Sequence, residues 1–188
     1  TYIQYLFFRQ WEALRTYLHE RDIHVIGDLP IYVAMDSADV WAEPEMFQLD
    51  EHNVPTEVSG VPPDCFSEDG QLWGNPLYNY EAMAKDGFGW WIRRIGGAQK
   101  LYDVIRIDHF RGFAAYWEVD AAEDTAVDGK WRKGPGMELF RAIEKALGPI
   151  PLIAEDLGVQ TDEVRELLSA SGFPGMRVLI FGFTPDYD

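Results

Sequence analysis

The chain has 188 residues, enough for one domain with a buried core, and 47% of them are hydrophobic and 14% aromatic. This composition excludes a disordered chain. With 16 basic against 32 acidic side chains the formal net charge is −16, which excludes nucleic acid as a partner and disfavours anionic membranes.

Residue types that would suggest other classes of protein are scarce. The single cysteine, Cys65, excludes an internal disulfide, and we expect a cytoplasmic protein. No apolar run approaches the roughly 18 residues that span a bilayer. There is no glycine-rich phosphate loop, no Ser or Cys lies in a nucleophile elbow, and we expect no cofactor. His19, His24 and His52 show no metal-ligand spacing, so no metal is expected either.

The predicted elements of the first half begin with a helix, because apolar residues recur at helical spacing over the first 18 positions. A strand-like run follows over residues 24–33. Residues 34–79 have no sustained period and are rich in aromatics, Gly, Pro and Asp, which predicts a long functional insertion. A helix over residues 90–101 then leads to a strand at 104–108.

The second half repeats the alternation of helix and strand. A helix ends at Gly148, a short strand occupies residues 151–154, and a further helix runs from Thr161 to Gly172. Residues 175–183 are predicted to form one more strand. This order predicts right-handed βαβ units and a parallel sheet.

About four such strands make either a small open α/β sheet or roughly half of a (β/α)8 barrel. The insertion after the first strand favours the barrel, since barrels carry their active-site loops there. We therefore expect a partial TIM barrel in which residues 1–188 are one catalytic-domain fragment of a longer protein, with the insertion at 34–79. Its unpaired sheet edges predict possible self-association.

Two predicted strands end on a carboxylate, Asp108 and Glu155. Two carboxylates in one cleft are the minimum equipment for cleaving a glycosidic bond. Arg106 shares a strand face with Asp108 and should keep it ionised, as a nucleophile must be. The apolar run before Glu155 should favour the protonated form that a general acid needs. For Arg106 and Asp108 the alternative is a purely structural ion pair. For Glu155 it is an acidic pair at the start of a βα-loop, with no catalytic role.

Other candidates are weaker. Asp28, at the end of the first strand, is a third inward carboxylate or part of a turn. His109 could donate a hydrogen bond to a sugar hydroxyl or to a backbone carbonyl. Asp156 points to the other face or into the loop. The insertion contributes aromatics that suit pyranose rings or a self-packed loop core, namely Phe66, Trp73, Tyr78 and Tyr80.

Five stretches of the sequence are long enough to be specific. They are residues 27–33 (GDLPIYV), 60–64 (GVPPD) with 73–78 (WGNPLY), 106–113 (RIDHFRGF), 133–136 (KGPG) and 154–158 (AEDLG). Together they closely resemble the 4-α-glucanotransferases, the amylomaltases or disproportionating enzymes of glycoside hydrolase family 77. The resemblance runs in order from the first residues to about Phe183.

The resemblance implies a (β/α)8 barrel that transfers α-1,4-glucan segments between maltodextrins or amylose with retention. Asp108 would be the nucleophile and Glu155 the acid and base, with their carboxyl groups about 5–5.5 Å apart. Arg106 would support Asp108. The resemblance further implies that substrate binding and the loop over the cleft involve Asp28, Arg106, His109, Phe66, Trp73, Asn75, Pro76, Tyr78 and Asp156.

The sequence departs from the family pattern at two points. Cys65 stands where many relatives carry an aromatic residue, which affects stacking there. The family's third acid, in a Thr-His-Asp-Asn motif on a later strand, does not occur in these 188 residues. We therefore expect this chain alone to be inactive, although it comes from an active enzyme. The alternatives are an α-amylase-type retaining hydrolase and a non-catalytic carbohydrate-binding or scaffold fragment.

Overall fold

The computed structural model describes residues 1–64, 67–158 and 160–183. The helices are α1 (Tyr2–His19), α2 (Ala38–Ala42), α3 (Tyr80–Lys85), α4 (Gly89–Gln99), α5 (Met137–Leu147) and α6 (Asp162–Ser171). The strands are β1 (Ile26–Leu29), β2 (Glu57–Val61), β3 (Gln71–Pro76), β4 (Val104–Ile107), β5 (Ala115–Asp120), β6 (Gly129–Lys133) and β7 (Leu152–Ala154). Short 3₁₀ helices span Pro44–Met46, Phe110–Phe113 and Leu179–Phe183.

A parallel sheet with the order β1-β4-β7 carries the predicted strand ends. Its register sets Asp28 opposite Arg106, and Ile107 opposite Ala154. Ile105 and Ile107 are buried beneath α4 and α5, the helices that connect these strands, as short apolar strands covered by helices require. The predicted βαβ alternation is therefore present over this part of the chain.

A second, antiparallel sheet was not predicted from the sequence. Its order is β3-β2-β5-β6, so it joins two strands of the insertion to a hairpin at residues 115–133. On that hairpin Glu118 is buried, and its carboxylate lies 2.7 Å from Nη2 of Arg132. The insertion is thus a small structured unit rather than an irregular loop.

The predicted strand at residues 175–183 is wrong. Ala154 still donates a 2.9 Å hydrogen bond to the carbonyl of Pro174, but strand pairing does not continue beyond it. The next available donor, the Met176 N–H, is taken at 2.7 Å by the side chain of Asp156. The described part of this segment instead contains the 3₁₀ helix Leu179–Phe183, where Leu179 is 81% exposed.

The first helix, α1, is attached mainly through polar side chains. Trp11 Nε1 donates to the carbonyl of Leu101 at 2.8 Å, and Arg15 donates to the carbonyl of Lys100 at 2.9 Å. None of the eighteen described residues of α1 is buried. Among the described residues, no helix is long and apolar enough to cross a membrane.

Candidate active site

Three neighbouring parallel strands deliver a carboxylate at the same edge of the sheet. Asp28 is the third residue of β1, while Asp108 and Glu155 each directly follow their strand. The backbone N–H of Asp108 bonds to the carbonyl of Leu29 at 3.0 Å, and that of Glu155 to Ile107 at 2.9 Å. Sheet pairing therefore continues to these residues and fixes their backbones side by side.

Arg106 joins two of the carboxylates. Its Nη1 lies 2.5 Å from Asp28 Oδ1, and its Nη2 lies 3.1 Å from Asp108 Oδ1. The side chains of Asp28 and Asp108 are 58% and 42% exposed, so a solute can reach both. The predicted contact between Arg106 and Asp108 is thus present, and Asp28 shares it.

The charge of Arg106 responds to all three strand ends. Partial burial lowers its pKa, but the hydrogen bond and charge of Asp28, with the charges of Asp108 and Glu155, outweigh burial and raise the pKa above the ordinary arginine value. The guanidinium therefore stays charged. It is the common counter-ion of the acidic strand ends.

Glu155 is held by backbone donors. Its Oε2 accepts from the N–H of His109 at 2.9 Å, and its Oε1 accepts from the N–H of Leu157 at 2.8 Å. These bonds fix the orientation of the carboxyl group. They also make its surroundings polar, whereas the apolar run before Glu155 predicts apolar surroundings. The separation of 5–5.5 Å between the Asp108 and Glu155 carboxyls stays a prediction.

His109 connects the carboxylates to the insertion. Its backbone is left-handed, with φ 52°, and its ring meets the Trp73 ring edge to face at 4.8 Å between centroids. Burial, with the nearby charge of Arg111, lowers the pKa of His109 to about 4. The imidazole is therefore neutral near pH 7, able to donate or accept a hydrogen bond without carrying charge.

Two predicted substrate-binding residues of the insertion are core residues instead. Tyr78 is 1% exposed, its hydroxyl donates to the Ile31 carbonyl at 2.7 Å, and other aromatic rings enclose its ring. Pro76 is also buried. Neither side chain reaches the surface, and sugar binding by Tyr78 and Pro76 stays a prediction.

Asn75 ties the insertion to the segment after β1. Its amide nitrogen donates to the Val33 carbonyl at 3.1 Å, and its oxygen accepts from the Ser59 hydroxyl at 3.4 Å. These contacts give Asn75 a structural role, since they position the insertion against the segment after β1. Sugar binding by Asn75 stays a prediction. Phe66 and Cys65 lie outside the described residues.

Asp156 does not face the open edge as a substrate-binding residue would. Its side chain is 4% exposed, and its Oδ1 accepts from the Met176 N–H at 2.7 Å, with Arg177 Nη1 3.5 Å from Oδ2. A Cβ on Gly175 would lie 2.6 Å from Oδ2, so only glycine permits this approach. Burial gives Asp156 a structural role in holding Met176, and its sugar contact stays a prediction.

Met176 is a site residue that the sequence did not single out. Its sulfur lies 3.1 Å from Nε of Arg106 and accepts a hydrogen bond from it. A methionine five residues beyond the end of α6 belongs to no pattern that would have identified it. Asp156 thus holds, through Met176, the guanidinium that contacts Asp28 and Asp108.

The fold and the site define a class of protein: an α/β protein with a cluster of carboxylates at the carboxyl ends of parallel strands, bridged by an arginine and bordered by aromatic rings. The family model described as 4-alpha-glucanotransferase, glycoside hydrolase family 77, matches residues 1–188. The chain belongs to this family, which confirms the resemblance seen in its motifs.

Curated relatives agree along nearly the whole chain. The 4-alpha-glucanotransferase of Streptococcus pneumoniae is 54% identical over 183 residues, and that of Thermus thermophilus 55% over 182. Each match covers 97% of this chain and 36% of the relative. The chain therefore spans little more than a third of the length of these relatives. A further relative, from Solanum tuberosum, is described as chloroplastic/amyloplastic and is 54% identical.

Solved structures give the same result for the fold. An amylomaltase from Streptococcus agalactiae in complex with acarbose matches with a TM-score of 0.93 and 49% identity, over 97% of this chain and 37% of that one. An amylomaltase from Corynebacterium glutamicum, 22% identical with a TM-score of 0.83, supports the fold alone. The α/β fold is thereby confirmed.

Proposed function

We propose that the complete enzyme, meaning this chain together with the remainder of the length found in its relatives, transfers α-1,4-glucan segments between maltodextrins with retention. The observation that carries the proposal is Arg106, which bridges Asp28 and Asp108 beside the strand end that presents Glu155. Retaining glycosidic chemistry needs an ionised nucleophile and a separate proton donor facing one bond.

The reaction proceeds in two displacements. The Asp108 carboxylate attacks the anomeric carbon while Glu155 gives its proton to the departing 4-oxygen, so the old C–O bond breaks as a glycosyl ester forms. Glu155, now ionised, takes the proton of an acceptor 4-hydroxyl, whose oxygen displaces Asp108. Two inversions at the same carbon leave its configuration unchanged.

The surrounding side chains position the sugar. Arg106 holds Asp108 by its Nη2, and Asp28 remains exposed enough to accept hydrogen bonds from sugar hydroxyls. Neutral His109 supplies a further hydrogen bond, and Trp73 beside it offers an apolar ring face. An apolar border of this kind limits the access of water, which favours a sugar acceptor.

The proposal includes the complete barrel. Residues 1–188 would form one catalytic-domain part of a (β/α)8 barrel, with the insertion at 34–79 as a loop subdomain at the cleft. The third acid would come from a Thr-His-Asp-Asn motif elsewhere, so the 188 residues alone should show no turnover. The acarbose bound to the S. agalactiae relative supports a carbohydrate substrate. Cytoplasmic location and self-association stay predictions.

Incubation of the complete enzyme with maltotriose tests the proposal. Transfer gives a ladder of oligomers longer than the substrate, whereas the alternative, an α-amylase-type hydrolase, gives shorter products only. Asp108→Asn should lower kcat by a factor of at least about 10⁴ and keep the fold, because it removes the nucleophile. An Asp108→Asn enzyme with undiminished function would support a non-catalytic binding module.

A further inference from the structure

We propose that His19, His24 and Asp103 form a binding site for a divalent transition metal of the zinc type. One ligand atom from each of these side chains lies within 4.8 Å of the others. The sequence shows no metal-ligand spacing here, because the third side chain, Asp103, is 84 residues from His19 and is brought to it only by the fold.

The three ligands come from three different segments. His19 is the last residue of α1, His24 lies in the connection to β1, and Asp103 immediately precedes β4. The site is therefore at the amino ends of the parallel strands. Asp103 and Asp108 flank the two ends of β4 and are five residues apart, about 16 Å at the rise of an extended strand, so this site is separate from the carboxylate site.

The distances suit a small ion after modest movement. His19 Nε2 lies 2.9 and 3.0 Å from the two carboxylate oxygens of Asp103, and the rings of His19 and His24 lie 5.9 Å apart. Zinc bonds of about 2.0–2.2 Å in a tetrahedron separate their ligand atoms by about 3.4 Å. Insertion of an ion thus needs shifts of roughly 0.5 Å between His19 and Asp103.

Access and orientation also suit an ion. The side chains of His19 and His24 are 42% and 64% exposed, which leaves room for an ion to enter and for water as a further ligand. Asp22 Oδ1 lies 3.5 Å from Nε2 of His24 and adds a negative charge beside the site. Two imidazoles and one carboxylate favour Zn²⁺ over Mg²⁺ or Ca²⁺, which prefer all-oxygen sites.

One neighbouring group opposes the ion. Arg15 forms an ion pair with Oδ1 of Asp103, and the Val25 N–H donates to Oδ2 at 2.8 Å. The guanidinium therefore competes with a metal for the same carboxylate. Arg15→Met should remove this competition and tighten metal binding. If Asp103 were not a metal ligand, the same substitution would leave the metal affinity unchanged.

Titration of the intact chain with ZnCl2, followed by calorimetry in a buffer that does not bind zinc, tests the site. We expect one equivalent to bind, His19→Gln and His24→Gln each to weaken binding at least tenfold, and Arg15→Met to strengthen it severalfold. Zn²⁺ at a hundredfold excess over Kd should raise Tm by about 5–10 °C. MgCl2 should give no comparable heat.

His52→Gln is the matched control, because His52 is an exposed histidine 3.6 Å from Glu51 and has no second imidazole nearby among the described contacts. Circular dichroism establishes that each variant is folded. The proposal is overturned if folded wild-type chain binds no zinc. It is equally overturned if a folded His19→Gln/His24→Gln double variant gives the wild-type isotherm.

Discussion

The sulfur of Met176 accepts a hydrogen bond from Arg106 Nε at 3.1 Å, while the two terminal nitrogens of the same guanidinium contact Asp28 and Asp108. Every nitrogen of the fork therefore has a partner among the described residues. A planar guanidinium held at three points has one orientation. The position of the proposed nucleophile depends on that orientation.

Met176→Leu should lower kcat of the complete enzyme by about fivefold with KM nearly unchanged. Leucine keeps the apolar volume but removes the acceptor, and one hydrogen bond is worth about 1 kcal/mol. Steady-state kinetics with maltotriose measure the effect. Met137→Leu is the control, since Met137 is also half-buried but packs on the hydrophobic core. Equal kcat in the two variants would contradict the role of Met176.

Asp156→Ala should reduce kcat about tenfold and lower the free energy of unfolding by about 1–3 kcal/mol, because the Met176 N–H loses its buried acceptor. Asp156→Asn should restore most of the activity, since its amide oxygen can still accept that N–H. Kinetics and urea unfolding of both variants measure the difference. If Asn were as damaging as Ala, holding the Met176 N–H would not account for the role of Asp156.

The sequence predicted the elements whose patterns are local. Helical periodicity and strand-end carboxylates sufficed for α1, α4, β4 and β7, and therefore for Asp108 and Glu155. The antiparallel sheet was missed because β2 pairs with β5 across nearly sixty residues, and such pairing is invisible in a local pattern. The strand predicted at 175–183 is wrong because an apolar run in the sequence does not show whether a neighbouring strand is available to pair with it.

Burial separates the candidate site residues in a way that the sequence does not show. Tyr78 and Asp156 have residue types that suit sugar binding, yet both are enclosed by segments distant in sequence. Trp73 has a similar type and stays half-exposed beside His109. Residue type and motif therefore identified the carboxylates at neighbouring strand ends, whereas tertiary packing decides which of the other candidate side chains reach the surface.

Arg106→Lys should lower kcat by about 10–100-fold with little loss of stability. A lysine ammonium is a single point charge, so it cannot contact Asp28 and Asp108 from separate nitrogens or reach Met176 as well. Kinetics of the complete enzyme measure the effect, and Arg165→Lys, an exposed arginine on α6 paired with Asp162, is the control. Wild-type kcat in Arg106→Lys would show that the bridge is dispensable.

His109 should make the protein less stable as the pH falls from about 6.5 to about 4. Its pKa is about 4 in the folded state against 6.5 unfolded, so in this window the unfolded chain binds a proton that the folded chain refuses. Stability from the neutral ring is complete above pH 6.5, is lost on acidification, and levels off below pH 4. The full loss is at most about 3 kcal/mol.

Urea unfolding at several pH values between 4 and 7 measures this loss, and other acidic groups contribute to the same slope. The difference between wild type and His109→Gln isolates the histidine, because glutamine is neutral throughout. That difference should shrink as the pH falls, since the wild type alone loses the contribution. A constant difference for His109→Gln across the window would contradict the burial of a neutral imidazole beside Trp73.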